Sequence, residues 1–268
     1  MTRTAVVTGA SSGFGAALTR AFARAGWNVA ATMRTPSKAP ADFASLAAVE
    51  VIRLDVTERE SIVTALGAVD AGFGPVDVLA NVAGYGQRGS LEEVTLDQIR
   101  AQFETNLFGP LELTKAVLPR MRERGAGHVI SFSSVAGTAA VPTMAAYSSS
   151  KFALEGFSES LAQDVRHLGI KVTIVQPATY GTEFGAGLRA PAHPMPEEYG
   201  PARTLLFSQD DYKRGDLDAS ADAVVSIAAT DDPPLRLSLG HGLHLLRSKL
   251  AAQQMEYDRW EKLTAATL

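Results

Sequence analysis

Short apolar runs rich in β-branched residues alternate along this chain with longer stretches whose apolar positions recur every three or four residues. The short runs are Ala5–Val7, Trp27–Met33, Val49–Asp55, Val76–Ala80, His128–Phe132, Lys171–Val175 and Leu235–Leu239. Their length and bounding residues predict buried strands. Ala16–Ala25 places Leu18, Ala21, Phe22 and Ala25 at helical spacing before Gly26, and so predicts a helix with a glycine stop. Leu96–Arg124 predicts a long helix bent or interrupted at Pro110 and Pro119, because proline removes a backbone donor. Ala146–Leu168 predicts one long helix capped by Gly169, and Ser220–Ala229 and Leu243–Leu263 predict two more. Strands that alternate with helices imply an α/β fold in one domain over residues 1–268, a doubly wound, mostly parallel seven-stranded sheet with helices on both faces.

The pattern breaks down between Tyr180 and Leu217, where Pro191, Pro194, Pro196 and Pro201 are mixed with Phe184, Leu188, Met195, Tyr199 and Phe207. A stretch this long without regular structure throughout is expected to be functional or mobile. Residues 183–217 are therefore read as a substrate-covering segment and residues 242–263 as a C-terminal helix. The apolar residues of that helix, Leu250, Met255, Tyr257 and Trp260, are expected to pack in the core, with the site or a second subunit as other places for them.

Composition narrows the chemistry. The net charge of −4 and the pI near 5.8 provide no basic excess for nucleic acid or an acidic membrane surface. With no cysteine, disulfides, thiolate metal sites and cysteine nucleophiles are excluded, in agreement with a reducing cytoplasm. Met1–Thr4 leads directly into Ala5–Val7, too short an apolar run for a signal peptide or membrane span. A soluble, cytoplasmic protein is expected. His241 and His244 lack neighbouring acidic residues or cysteines, so no metal site is expected.

Three motifs carry chemistry. Gly9, Gly13 and Gly15 stand where the first strand gives way to a helix, a place where absent side chains let backbone amides approach a pyrophosphate. The second strand ends in Thr32–Met33–Arg34. It carries no acid to accept from a ribose 2′-hydroxyl, whereas Arg34 suits a 2′-phosphate; Arg34 as a solvated loop residue is the other reading. Tyr147 and Lys151 are four residues apart, so a helix puts phenol and ammonium on one face, where the cation is expected to favour the phenolate. Ser134, after the fifth apolar run, can offer a hydroxyl to the same substrate oxygen.

Together these residues resemble the short-chain dehydrogenase/reductase family, from Thr4 to about Thr182. Thr8, Gly9, Gly13 and Gly15 match its nucleotide turn, and Asn81-Val82-Ala83-Gly84 resembles its Asn-Asn-Ala-Gly with Val82 in place of asparagine. Ser134-Val135-Ala136-Gly137, the interval to Tyr147, and Asn106 in Thr105-Asn106-Leu107 are similar to the family's catalytic pattern; Ser133 is the less suitable serine. The resemblance implies a Rossmann fold and a catalytic set of Asn106, Ser134, Tyr147 and Lys151. It implies a nicotinamide dinucleotide held by Gly9, Ser11, Ser12, Gly13, Phe14, Gly15, Arg34, Asp55, Val56, Asn81, Ala83, Gly84, Tyr147, Lys151, Pro177 and Thr182. Asp55 is equally readable as a helix cap. Pro177–Thr182 departs from the family's Pro-Gly-x-Val-x-Thr at Ala178 and Tyr180.

The expected activity is NADP(H)-dependent interconversion, with NAD(H) possible, of a hydrophobic ketone or aldehyde and its alcohol. In it Tyr147 exchanges the proton, Ser134 binds the oxygen, Lys151 assists the tyrosine and the ribose, and Asn106 ties lysine to a water path. Phe184–Tyr212, Val141, Met144 and Tyr85–Arg88 are candidate substrate contacts. The resemblance also implies a homodimer or homotetramer, near retinol and 17β-hydroxysteroid dehydrogenases. A non-catalytic NADP(H) sensor and a sugar-nucleotide epimerase or dehydratase are the alternatives on this fold.

Overall fold

The computed structural model describes residues 2–207 and 214–267. Its strands β1 (Thr4–Thr8), β2 (Asn28–Met33), β3 (Val49–Arg53), β4 (Val78–Asn81), β5 (Gly127–Phe132), β6 (Ile170–Pro177) and β7 (Arg236–Leu239) form one sheet in the order β3-β2-β1-β4-β5-β6-β7. Every neighbouring pair is parallel, as crossover helices require. Alternate residues of β1 belong to opposite cores. Ala5 and Val7 pack with Leu18 and Phe22 of α1 (Gly13–Arg24) and Val224 of α7 (Leu217–Ala229). Val6 packs with Ile62 of α2 (Arg59–Phe73), Leu113 and Met121 of α4 (Gly109–Arg124) and Leu161 of α5 (Ala145–Val165). The strands are thus buried on both faces, which is why they read as continuous apolar runs. Strand order reverses between β1 and β4, so the carboxyl ends of these two strands frame the crevice where open α/β sheets bind ligands.

The predicted long helix is two, α3 (Leu96–Phe103) and α4, joined by a π-helical turn at Glu104–Phe108. The break lies around Asn106, ahead of Pro110 rather than at it. Pro110 occupies the first turn of α4, where its fixed φ is welcome, yet it has no N–H for the carbonyl four residues back, that of Asn106. Widening the preceding turn accommodates this. Pro119 stays inside α4 with its face exposed, so water can serve the carbonyl it leaves unpaired.

Between residues 183 and 217 there is more regular structure than the prolines suggested. A 3₁₀ turn at Glu197–Tyr199 leads into α6 (Gly200–Phe207), with Pro201 near its start, where proline is pre-organised for a helix. Residues 208–213, including Tyr212, lie outside the described residues. A larger departure is α8 (Leu243–Ala265), in which Leu246 is the buried residue while Leu250, Met255, Tyr257 and Trp260 are exposed. The expectation that these four pack in the core fails, because α8 runs beyond the sheet it would have to cover. Among the described residues no helix is long and apolar enough to cross a membrane, and no group of three or more acidic or histidine side chains is placed to hold a metal.

Candidate functional site

The glycine turn follows from close approach. Gly9 has φ +67°, and a Cβ there would lie 2.9 Å from the Ala83 Cα; a Cβ on Gly15 would lie 2.2 Å from the Gly9 carbonyl oxygen. Thr8 fastens the same junction by accepting from the amides of Val82 and Ala83, both at 2.9 Å. Gly13, at φ +49°, leaves open a space that a Cβ would fill 3.5 Å from Thr182, so α1 begins beside the segment after β6. Ser12 caps α1 without a side-chain hydrogen bond, and no acid lies in the first turn. Free amides and an open cradle at the switch point fit an anionic group such as a pyrophosphate.

The other expected cofactor residues divide by what their side chains already do. Phe14 packs between Phe132 and Tyr180, with ring centroids 5.3 and 4.7 Å away, so its backbone is the part facing the turn. Asn81 is buried and donates to Thr114 of α4 at 3.3 Å, away from the crevice. Asp55 accepts from the backbone and hydroxyl of Thr57 at 3.0 and 2.8 Å; α2 is capped instead at Glu58. Val56 packs on Gly109, where a Cβ would lie 2.8 Å from it. Arg34 is exposed in the turn after β2, makes no ion pair among the described residues, and bears electrostatically on the Tyr85 phenol.

The unusual Tyr180 has a physical explanation. Its ring meets Phe14 edge-on and its hydroxyl pairs with Ser220 at 2.8 Å. Room for it comes from Gly215 and Gly240, where a Cβ would lie 2.4 and 3.1 Å from Tyr180 atoms. The aromatic residue and two distant glycines therefore compensate one another.

Tyr147 and Lys151 lie on one face of α5 and are 7% and 5% exposed. Of the two serines, Ser134 hydrogen-bonds Tyr147, while the Ser133 hydroxyl is buried and has no partner among the described residues. Lys151 Nζ donates to the Phe132 carbonyl at 2.7 Å and lies 5.9 Å from the Tyr147 ring centroid. Lys151 is not among the groups that act on the Tyr147 phenol, whose shift is set by burial and by Ser134. Burial pushes the Tyr147 phenol up to about 12, against the lowering effect of Ser134. Burial likewise pulls the Lys151 ammonium down to about 8, against the raising effect of Glu155. A low-dielectric surrounding disfavours both charged forms.

Asn106, fully buried, uses both ends of its amide on one neighbour: Oδ1 accepts from the Tyr85 N–H at 3.1 Å and Nδ2 donates to the Tyr85 carbonyl at 3.0 Å. Nδ2 also reaches Ser150, whose hydroxyl donates to the Tyr147 carbonyl. A Cβ on Gly84 would meet Asn106 Oδ1 at 3.1 Å and Lys151 Nζ at 3.6 Å, so these two groups flank the same glycine. Sequence reasoning missed the next layer. Gln102 donates to the Tyr85 carbonyl and accepts from the Gln87 N–H, both at 2.6 Å. Gln87 in turn donates to the carbonyls of Arg88, Arg189 and Ala190 at 2.9, 3.2 and 3.1 Å. A buried polar chain thus runs from Asn106 to the segment after Thr182. Glutamine on the inner side of a helix was the available signal.

That segment closes over Tyr147. Phe184 lies 5.5 Å from the Tyr147 ring, and Leu188, Val141 and Met144 pack in the same cluster. Gly86 faces it, since a Cβ there would lie 2.4 Å from Leu188 and 3.1 Å from Phe184. A proton-bearing phenol against an apolar wall, on the same sheet edge as the glycine turn, is suited to reversible carbonyl chemistry.

A profile of the family described as short chain dehydrogenase matches residues 3–192. The chain belongs to this family. An uncharacterized oxidoreductase YusZ of Bacillus subtilis is 35% identical over 273 residues, covering 97% of this chain and 96% of that protein. Human retinol dehydrogenase 8 is 36% identical over 255 residues, covering 87% and 80%. Among solved structures, a short-chain dehydrogenase from Streptomyces avermitilis superposes with a TM-score of 0.91 at 39% identity, covering 100% of this chain and 99% of that one. A gluconate 5-dehydrogenase from Burkholderia cenocepacia in complex with NADP and tartrate has a TM-score of 0.76 at 26% identity, covering 90% and 95%. A relative from Burkholderia phymatum in complex with NAD has 0.83 at 25%, covering 96% and 95%. The family and the fold class, an oxidoreductase on a Rossmann-type parallel sheet, agree with the sequence-based expectation, and structural neighbours carry a nicotinamide cofactor of either kind.

Proposed function

We propose that this short-chain dehydrogenase interconverts a hydrophobic ketone or aldehyde and its alcohol with NADP(H). The observation that carries the reading is the buried Tyr147, hydrogen-bonded to Ser134, sharing a helix face with Lys151 and walled by Phe184, Leu188 and Met144. The cofactor, when bound, supplies hydride in reduction and takes it in oxidation. Gly9–Gly15, Ala83, Gly84, Pro177 and Thr182 would hold it, largely through backbone. In reduction, Tyr147, protonated at neutral pH as a phenol ordinarily is, donates its proton to the substrate oxygen while Ser134 binds that oxygen. Lys151 provides positive charge for the tyrosine left behind. Asn106, whose carbonyl receives no N–H from Pro110, would tie Lys151 to a water path for proton replacement.

NADP(H) is favoured over NAD(H) because β2 ends without an acid and the exposed Arg34 makes no ion pair among the described residues. Intact Asn106, Ser134, Tyr147 and Lys151 speak against a non-catalytic sensor. The exposed Leu250, Met255, Tyr257 and Trp260 of α8 support a homodimer or homotetramer, and the absence of cysteine supports a cytoplasmic setting. The test is NADPH consumption with a panel of apolar ketones and aldehydes. Tyr147→Phe should abolish turnover and retain NADPH binding. Arg34→Ala should erase the preference for NADPH over NADH in kcat/KM. Substantial turnover by Tyr147→Phe would sink the mechanism, and an unchanged cofactor ratio in Arg34→Ala would sink the cofactor assignment.

A further inference from the structure

Described arginines whose guanidinium groups are held by side chains in this protein generally meet carboxylates: Arg20 with Asp42, Arg24 with Asp222, Arg203 with Glu93, and Arg236 with Glu155 and Glu159. Arg189 is different. Its Cζ stacks 3.7 Å from the Tyr85 ring centroid and its Nη1 donates to the Tyr85 hydroxyl at 2.9 Å. The partner is a neutral phenol, and among the described residues no carboxylate pairs with this guanidinium, so the charge is oriented without being neutralised there.

The backbone below this guanidinium is tightly braced. Arg189 N–H donates to the Gly86 carbonyl at 2.9 Å, and its carbonyl accepts from Arg88 N–H at 3.0 Å and from the buried Gln87 at 3.2 Å. The preceding residue, Leu188, belongs to the apolar cluster on Tyr147. The wall therefore passes from proton-donating phenol to apolar surface to an exposed, fixed cation within adjoining residues. Arg34 is the second cation that bears on the Tyr85 phenol. A planar guanidinium stacked on an aromatic face keeps its edge available for a bidentate acceptor, and ordering it in advance removes part of the entropic cost of binding.

We propose that the substrate is an amphipathic acid, with a carboxylate at the end remote from its carbonyl, and that Arg189, oriented by Tyr85, receives that carboxylate. This rests on the reading of Tyr147 as the proton donor. Recognition of the carboxylate is nevertheless measurable without turnover.

The experiment is calorimetric titration of octanoate and octan-1-ol into the nucleotide-free protein, so that the alcohol is not oxidised, with NADP+ titrated separately. Octanoate should bind at least tenfold more tightly than octan-1-ol, with a preference that narrows as salt is added. Arg189→Gln should bring the ratio to about one and leave NADP+ affinity unchanged. Arg189→Lys should keep a reduced preference, as should Tyr85→Phe, which retains the ring and loses the hydroxyl. Should Arg189→Gln fail to fold, the graded loss in these two conservative variants decides. Equal affinity in the wild type, a preference that survives Arg189→Gln, or one lost in Arg34→Ala instead would overturn the assignment. Turnover retained by Tyr147→Phe would overturn the mechanism alone.

Discussion

Gln102→Leu tests whether the buried amides between α3 and the segment after Thr182 hold the site together. Gln102 is fully buried and makes two hydrogen bonds of 2.6 Å, to the Tyr85 carbonyl and from the Gln87 N–H. Leucine nearly preserves its volume, so the change is one of hydrogen bonding rather than packing. The Tyr85 carbonyl keeps its bond from Asn106 and loses one of two partners, about 0.5–1.5 kcal/mol. The Gln87 N–H loses its side-chain acceptor inside the protein and incurs about 1–3 kcal/mol of desolvation. The expected loss is about 1.5–4.5 kcal/mol, a large share of the roughly 5–15 kcal/mol typical of a folded domain. Urea denaturation of wild type and variant measures it. Because Tyr85 and the Arg189 segment both hang on this chain of bonds, kcat/KM should fall more than NADPH affinity does. A loss below about 0.5 kcal/mol would show that these bonds add almost nothing to stability. A full loss with unchanged kcat/KM would show that they do not position the site.

Three further outcomes are expected. His128 is held near a pKa of about 4 from 6.5, first by burial and then by Lys171; its Nε2 pairs with Thr173, whose hydroxyl donates to Pro234, and its Nδ1 has no partner among the described residues. The unfolded chain therefore binds the extra proton first. This contribution is fully present above pH 6.5 and lost as pH falls towards 4, up to about 3 kcal/mol, and His128→Leu should flatten that part of the stability–pH curve. Gly9→Ala combines positive φ with a Cβ 2.9 Å from Ala83; it should lower stability by more than about 1 kcal/mol and weaken NADPH binding in a fluorescence titration. Gly215→Ala should push Tyr180 off Phe14, and the double variant with Tyr180→Val should recover stability; a coupling energy below about 0.5 kcal/mol in that cycle would refute the compensation.

The strands, the helices that flank them and their order of appearance were legible because a sheet buried on both faces demands apolar runs, while each covering helix demands a stripe. Gly9 and Gly15 were legible for a related reason: close backbone approach leaves only glycine, whatever surrounds it. Tyr147 and Lys151 could be placed on one helix face from spacing alone, since both positions belong to a single element. Their electrostatics could not, because desolvation depends on what packs over them, and Phe184 and Leu188 come from a segment without periodicity. The same limit hid Gln87, Gln102, the Tyr180–Gly215–Gly240 slot and Arg189 on Tyr85, whose partners are far apart along the chain. The exposed face of α8 was misjudged because an apolar stripe reports that a helix has something to cover, not whether this sheet is long enough to provide it. Local sequence determined the elements and the identity of the reactive groups. The tertiary structure decided their protonation, their bracing and the charge at the mouth of the site, because those depend on burial and on contacts between residues the chain brings together only when folded.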